Sequence, residues 1–152
     1  MTPFQAAPDY PQWDKVARLI HGAFAYMAPL LGHPARAASV TPEQLAAAAD
    51  SGTAFLIEDG DKPIACLFAR ASRDFPGARY LGWLAVADSH RSRGLARLLI
   101  ASAEDEARIL GHPALTLDTG RVLTDLHGFF QQAGFDPVPG NGDVISFRKA
   151  LD

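Results

Sequence analysis

The chain contains the stretch Arg91-Ser92-Arg93-Gly94-Leu95-Ala96-Arg97. The segment before it, Arg79–Val86, is typical of a β-strand, and the segment after it, Leu95–Leu110, carries apolar residues at helical spacing. We therefore expect the stretch to form the turn between a strand and the N-terminus of a helix.

Such a turn is suited to binding phosphate. The first N–H groups of a helix have no partner within the helix, and the helix dipole favours a negative charge beside them. Three arginines within these seven residues add positive charge. Gly94 permits a close approach of the backbone, and Ala96 keeps the following turn small. The stretch therefore predicts a pyrophosphate-binding site.

Two widespread phosphate-binding patterns are missing. The chain has neither the Gly-x-x-x-x-Gly-Lys-Ser/Thr loop of nucleoside triphosphatases nor the Gly-x-Gly-x-x-Gly fingerprint of dinucleotide-binding folds. It has Arg91-x-x-Gly94-x-Ala96 instead. This pattern resembles the Arg/Gln-x-x-Gly-x-Gly/Ala signature of the GNAT superfamily of N-acetyltransferases, which binds the pyrophosphate of acetyl-coenzyme A.

The resemblance extends over roughly residues 79 to 137. Leu84–Arg91 is similar to the strand and entry segment of that family, with Asp88 where proline is more usual. Ala114–Thr119 is similar to the next strand, and Phe129–Phe135 resembles the helix that ends in an aromatic residue before Gly-Phe.

The order of predicted elements agrees with this resemblance. We predict a first edge strand (Thr2–Ala7), two helices (Asp14–Tyr26 and Pro42–Ala49) separated by a loop (Ala28–Val40), three strands (Thr53–Glu58, Lys62–Ala71, Arg79–Val86), a helix (Arg93–Leu110), a strand (Ala114–Thr119), a helix (Leu123–Ala133) and a last strand or hairpin (Phe135–Val138, Val144–Arg148). The predicted fold is α/β, with a central twisted mixed sheet flanked by helices, in a single domain over residues 1–152.

Composition restricts the class of protein. Hydrophobic residues make up 48% of the 152 residues and the net charge is −3, which is typical of a globular domain and argues against general nucleic-acid binding. The single Cys66, in an apolar run, excludes a multi-cysteine zinc site, and we expect it to be buried. No secretory signal or membrane span is visible, so we expect a cytoplasmic protein that binds no membrane and no metal.

The resemblance implies a cofactor site. The pantetheine arm of acetyl-CoA would run beside Leu84, Ala85 and Val86, and the backbone N–H of Val86 would polarise the thioester. The pyrophosphate would be bound by the turn over Arg91–Arg97, which we call the phosphate turn, with an aromatic contact from the C-terminal helix. The residues expected to bind the cofactor are Leu84, Ala85, Val86, Arg91, Ser92, Arg93, Gly94, Leu95, Ala96, Arg97 and Phe130.

The side-chain chemistry departs from the family pattern. Phe130 stands where relatives often have a tyrosine that protonates the leaving thiolate, and a phenyl ring has no proton to give. Tyr80 stands where some relatives have a glutamate base, and a phenol is a poor base at neutral pH. His127, three residues before Phe130, is a candidate acid, although a helix-surface role is favoured.

The residues that would bind the acceptor amine are less clearly marked in the sequence. The first two helices and their loop would shape this part of the site, with Tyr26, Met27, His33 and Trp83 as candidate lining residues. We expect transfer of an acetyl group to a primary amine of a small molecule or peptide. A non-catalytic acyl-CoA-binding regulatory module is the alternative, and a simple interaction domain without coenzyme A binding is the third. The sequence does not decide between a monomer and a homodimer.

Overall fold

The computed structural model describes residues 1–152. The structure has seven strands and five α-helices, and apart from the short helix α2 they follow one another in the order expected from the sequence. The strands are β1 (Phe4–Ala6), β2 (Thr53–Asp59), β3 (Lys62–Ala71), β4 (Ala78–Val86), β5 (Ala114–Gly120), β6 (Asp136–Pro137) and β7 (Val144–Ala150), and the helices are α1 (Trp13–Phe24), α2 (Met27–Leu31), α3 (Pro42–Ser51), α4 (Leu95–Ile109) and α5 (Thr124–Gln132).

All seven strands form one mixed sheet in the order β1-β2-β3-β4-β5-β7-β6. Every neighbouring pair is antiparallel except β4 and β5, which are parallel. A parallel pair requires a crossover, and α4 supplies it. The predicted mixed sheet flanked by helices is confirmed.

Apolar residues on the two faces of the sheet form two cores. Along β3, Leu67 packs into the core that contains α4, whereas Cys66 and Phe68 pack into the core that contains α1 and α3. This alternation follows from the two-residue period of a strand. Cys66 is fully buried, as predicted.

The prediction of a loop without helices over residues 28–40 is wrong. This segment contains the short helix α2 and a 3₁₀ turn over Arg36–Ser39. Met27 and Ala37 are buried and hold these turns against the fold, and Gly32 ends α2 with a left-handed conformation (φ 80°). Contacts between distant segments therefore decide the structure here, and no local periodicity indicates it.

Other boundaries shift by a few residues. Helix α4 begins at Leu95 rather than at Arg93, because Gly94 before it has a left-handed conformation that a right-handed helix does not accommodate. Helix α3 begins as predicted: Thr41 accepts from the Gln44 N–H, and the Gln44 side chain accepts from the Thr41 N–H.

None of the helices is both long and apolar enough to cross a lipid bilayer.

Candidate active site

Strands β4 and β5 separate part of the way along the sheet. They pair from Ala78↔Ala114 to Tyr80↔Thr116, and beyond that point no ladder joins them. The remainder of β4 therefore faces an opening toward β5. Along this edge its backbone groups form no ladder with a neighbouring strand.

A β-bulge in β4 lies beside this opening. Cys66 of β3 pairs with Ala85 and Phe68 pairs with Gly82, so two steps along β3 match three steps along β4. Trp83, within the extra step, has a φ of 50°, which is uncommon for a residue other than glycine. The Cys66 thiol of β3 donates to the Trp83 carbonyl at 3.3 Å, and this hydrogen bond stabilises the bulge.

A backbone donor beyond the bulge is directed into the opening. The Ala87 N–H donates to the Ile64 carbonyl of β3 at 2.8 Å. Because N–H groups alternate sides along a regular strand, that of Val86 is directed away from β3, toward the side that β5 has left. This edge of β4 is thus free to pair with an extended ligand.

The phosphate turn has the backbone geometry of an anion site. Ser92 and Gly94 have positive φ angles of 63° and 76°. The Leu98 N–H donates to the Gly94 carbonyl at 3.1 Å, so the N–H groups of Leu95 to Arg97 precede the first hydrogen bond of α4. These donors converge at the positive end of the helix dipole.

The side chains of the turn are held by local partners. The Arg91 guanidinium lies 2.9 Å from the Asp88 carboxylate, and the Arg97 guanidinium lies 5.9 Å from the centre of the Phe129 ring. His90 contacts Asp59 of the β2–β3 turn at 2.8 Å. His90 also holds the pKa of the exposed Asp59 carboxyl below its usual value, mainly through this hydrogen bond.

One continuous cleft of 1270 Å³ joins the phosphate turn to the opening between β4 and β5. A single small-ligand site commonly occupies about 300–1,000 Å³, so the cleft has room for a cofactor and a second molecule. The residues proposed from the sequence that line it are Tyr26, Met27, His33, Tyr80, Trp83, Leu84, Ala85, Val86, Arg91, Ser92, Gly94, Leu95, Ala96, Arg97 and Phe130.

Two of the sequence candidates lie elsewhere. Arg93 does not line the cleft, and its charge acts instead on Asp59. His127 contacts the Gly120 carbonyl through Nε2 at 3.0 Å, and its ring packs 5.4 Å from that of Phe147. His127 and Phe130 do share one side of α5, as expected, but that side faces β7 and only Phe130 also reaches the cleft.

Tyr80 and Phe130 differ in what they offer the cleft. Burial raises the pKa of the Tyr80 phenol, so this group stays protonated at neutral pH and is a donor, not a base. Phe130 is buried among Phe129, Phe135 and Phe147 and contributes only apolar surface.

Four charged residues that were not among the sequence candidates also line the cleft, namely Arg36, Arg70, Asp118 and Asp143, and two of them lie beside Tyr80. Arg70 of β3 stacks on the Tyr80 ring at 4.2 Å, and Asp118 of β5 lies beyond the point where the strands separate. Neither belongs to a motif. Only the register of three strands brings them together, and no local pattern in the sequence specifies that register.

Comparison with known proteins gives the family. The model of the acetyltransferase (GNAT) family matches residues 13–135, whereas no protein of curated function matches the sequence. PaiA N-acetyltransferase from Thermoplasma acidophilum, solved with coenzyme A, has a TM-score of 0.80 and 11% identity, with 99% of this chain and 100% of that chain covered.

Two other solved structures share the fold. An acetyltransferase of the GNAT family from Staphylococcus aureus has a TM-score of 0.77 and 12% identity, with 99% of each chain covered. An acetyltransferase from Thermus thermophilus has a TM-score of 0.68 and 24% identity, with 99% of this chain and 98% of that chain covered. Sequence, fold and site geometry agree that the chain belongs to the GNAT family of acetyltransferases.

Proposed function

We propose that this protein transfers an acetyl group from acetyl-CoA directly to a primary amine. The observation that carries the proposal is the single cleft in which a turn of free N–H groups leads into a strand edge without a partner. A diphosphate ester with a long amide-containing arm matches both parts of that cleft.

The cofactor is held in two ways. The pyrophosphate accepts hydrogen bonds from the N–H groups at the start of α4, with Arg91 and Arg97 beside it. The pantetheine arm pairs with the open edge of β4, as an added strand would. The presence of coenzyme A in the similar structure from Thermoplasma acidophilum supports this assignment.

Catalysis in this proposal depends on a backbone donor. The Val86 N–H donates to the thioester oxygen as negative charge develops on it. The amine attacks as the free base, the C–N bond forms, and the C–S bond then breaks. The thiol of the leaving group has an ordinary pKa of about 8.5, so the released thiolate takes a proton from water, while the amine loses its proton to water.

The proposed mechanism therefore does not depend on a side-chain acid or base. Phe130 has no proton to transfer, and His127 lies outside the cleft. Tyr80 is the one titratable side chain among the three sequence candidates that faces the cleft, and its raised pKa keeps the phenol protonated, so that it can donate a hydrogen bond but is a poor proton donor in catalysis.

Two measurements test the proposal. Calorimetry with acetyl-CoA and with coenzyme A measures binding, and release of free thiol in the presence of a mixed panel of amines measures turnover. We expect binding and acceptor-dependent thiol release. No binding at millimolar cofactor rejects the site altogether.

The alternative is a regulatory module that binds acyl-CoA without turnover. The observation in its favour is Phe130, which leaves this position of the cleft without a proton donor. Tight binding of acetyl-CoA without thiol release for any amine, including peptides with free N-termini, supports the module and rejects the transferase.

A further inference from the structure

The cleft has a second region, away from the phosphate turn, which we call the acceptor half. Its walls are formed by Phe24 and Met27 of the first two helices and by Phe68 and Trp83 of the sheet. The Phe68 and Trp83 rings meet edge to face with centres 5.2 Å apart. This wall offers apolar and aromatic surface to a ligand.

Two opposite charges stand on the same face of the sheet as this wall. Arg70 pairs with Tyr80, Tyr80 pairs with Thr116, and Asp118 follows two residues after Thr116. Because side chains two residues apart share a face of a strand, Arg70, Tyr80 and Asp118 all project to one side of the sheet.

Neither charge is neutralised by the protein. The Arg70 guanidinium donates to the Ala71 carbonyl at 3.1 Å and stacks on Tyr80, but no carboxylate lies within 4.0 Å of it. The Asp118 carboxylate accepts from the Ser146 hydroxyl at 2.6 Å and has no cationic partner. The two residues therefore do not pair with each other, although both line the cleft.

Both charges affect the pKa of the Tyr80 phenol. Burial is the main cause of its raised pKa, Asp118 raises that pKa further, Arg70 lowers it, and Asp74 of the β3–β4 loop raises it slightly. The phenol thus lies within the electrostatic reach of a cation and an anion that are kept apart. A guanidinium without an anionic partner favours a carboxylate ligand, which it can bind through two hydrogen bonds.

We propose that the acceptor is an amino acid with an apolar side chain, bound as a zwitterion, with its carboxylate on Arg70 and its amino group on the Asp118 side of the cleft. This inference rests on the proposed acetyl transfer. The apolar side chain contacts Phe68 and Trp83. The amino group loses one proton to water and attacks the thioester carbon. The C–N bond forms, the C–S bond breaks, the nitrogen loses a second proton to water and the thiolate takes one up, so that an N-acetyl amino acid and coenzyme A are the products.

The charge balance of the cleft argues against a polyamine. Outside the phosphate turn, the residues that line the cleft include the cations Arg36 and Arg70 and the acids Asp118 and Asp143. A ligand with several positive charges would meet both guanidinium groups, whereas a zwitterion satisfies one charge of each sign.

The test compares acceptors that differ only in the carboxylate. We expect acetyl-CoA-dependent transfer to L-phenylalanine with a kcat/KM at least about ten-fold above that for phenethylamine and for phenylalaninamide. Replacing Arg70 should largely remove the difference: Arg70→Gln is expected to lower kcat/KM for phenylalanine by about ten- to hundred-fold, chiefly through KM, with a much smaller change for phenethylamine. Arg70→Lys should restore part of the loss.

Arg73→Gln is the matched control. Arg73 is exposed in the loop after β3, outside the cleft and in no ion pair, so this variant should behave as the original protein does. Acetyl-CoA affinity is measured for every variant to show that the fold and the cofactor site persist.

Each contrary outcome is distinguishable. Equal or better transfer to phenethylamine overturns the amino-acid acceptor and leaves acetyl transfer standing. An equal loss for both acceptors in Arg70→Gln overturns the carboxylate contact and indicates a structural role. No transfer to any acceptor, with acetyl-CoA still bound, overturns this inference and the proposed transferase together.

Discussion

At the scale of single residues, Gly94 determines the shape of the phosphate turn. Its φ of 76° is a conformation in which L-residues are strained, while a Cβ placed there would meet nothing within 4 Å. Backbone conformation, and not lack of space, therefore requires glycine. Asparagine is the residue that best tolerates this conformation after glycine.

Substitution of Gly94 separates backbone shape from charge. Gly94→Asn should weaken acetyl-CoA binding by only a few-fold, because asparagine adopts positive φ. Gly94→Glu should weaken it by more than about 100-fold, because like charges brought together cost several kcal/mol. Calorimetry measures both, and similar affinities for the two variants would contradict a pyrophosphate beside Gly94.

The Cys66 thiol is predicted to be unreactive in the native protein. Burial raises the pKa of its thiol to about 12, so roughly one thiol in 10⁴ is ionised at pH 8. Labelling by a thiol reagent at pH 8 should be slow in the native state and rapid after unfolding in guanidinium chloride. Rapid labelling of the native protein would show that the β-bulge opens, and Cys66→Ala, which cannot be labelled, is the control.

His127 is predicted to stabilise the fold without taking part in turnover. His127→Ala removes the contact with the Gly120 carbonyl and the packing on Phe147, which should lower the free energy of unfolding by about 1–2 kcal/mol. The pH–rate profile should not change. The companion variant Phe130→Tyr restores a phenol to α5. A rise in kcat for that variant, or a changed profile for His127→Ala, would contradict a mechanism that needs no acid from α5.

At the scale of elements, the separation of β4 from β5 creates the site. Ala78, Arg79 and Tyr80 complete the parallel ladder, and the rest of β4 is held by β3 alone. The bulge at Trp83 increases the twist of β4 at this point. One edge of a central strand is thereby exposed without loss of the pairing on its other edge.

Proline in β4 tests the backbone donor. Val86→Pro removes one N–H that is directed away from β3, so the β3–β4 ladder should persist while kcat falls about 100-fold or more. Val86→Ala keeps the N–H and should retain activity. Comparison with Leu84→Pro shows which of the two amides faces the thioester, and full activity in both proline variants would rule out a backbone donor on this edge.

At the scale of the whole molecule, ligand binding and stability are linked. In the proposed complex the cofactor contacts β4 and the start of α4, which belong to the core between the sheet and α4 and to the opening beside it. A ligand that binds only the folded state stabilises it in proportion to the logarithm of its concentration.

Acetyl-CoA should therefore raise the melting temperature. At a concentration about 100 times Kd, the expected stabilisation is about 2.7 kcal/mol, which corresponds to roughly 5–10 °C for a domain of this size. Thermal unfolding with and without ligand measures the shift, and Gly94→Glu, which should show none, is the control. An unchanged melting temperature in the original protein would contradict cofactor binding.

Much of the architecture follows from local sequence. The phosphate turn combines a strand, a glycine and an amphipathic helix within a short segment, and Thr41, Pro42 and Gln44 specify the start of α3. Residues 28–40 lack such signals, so α2 and the turn at Arg36–Ser39 could not be predicted: their anchors, Met27 and Ala37, gain burial only from the assembled fold.

The sequence by itself determined the family, the order of the strands and longer helices, and the glycine turn between β4 and α4, because each depends on residues close together in the chain. Only the tertiary structure decided that Arg70, Tyr80 and Asp118 share one face of the cleft and that His127 is turned toward Phe147. Strand register and helix rotation are set by packing across the whole sheet, and contacts between distant segments leave no periodic trace in the sequence.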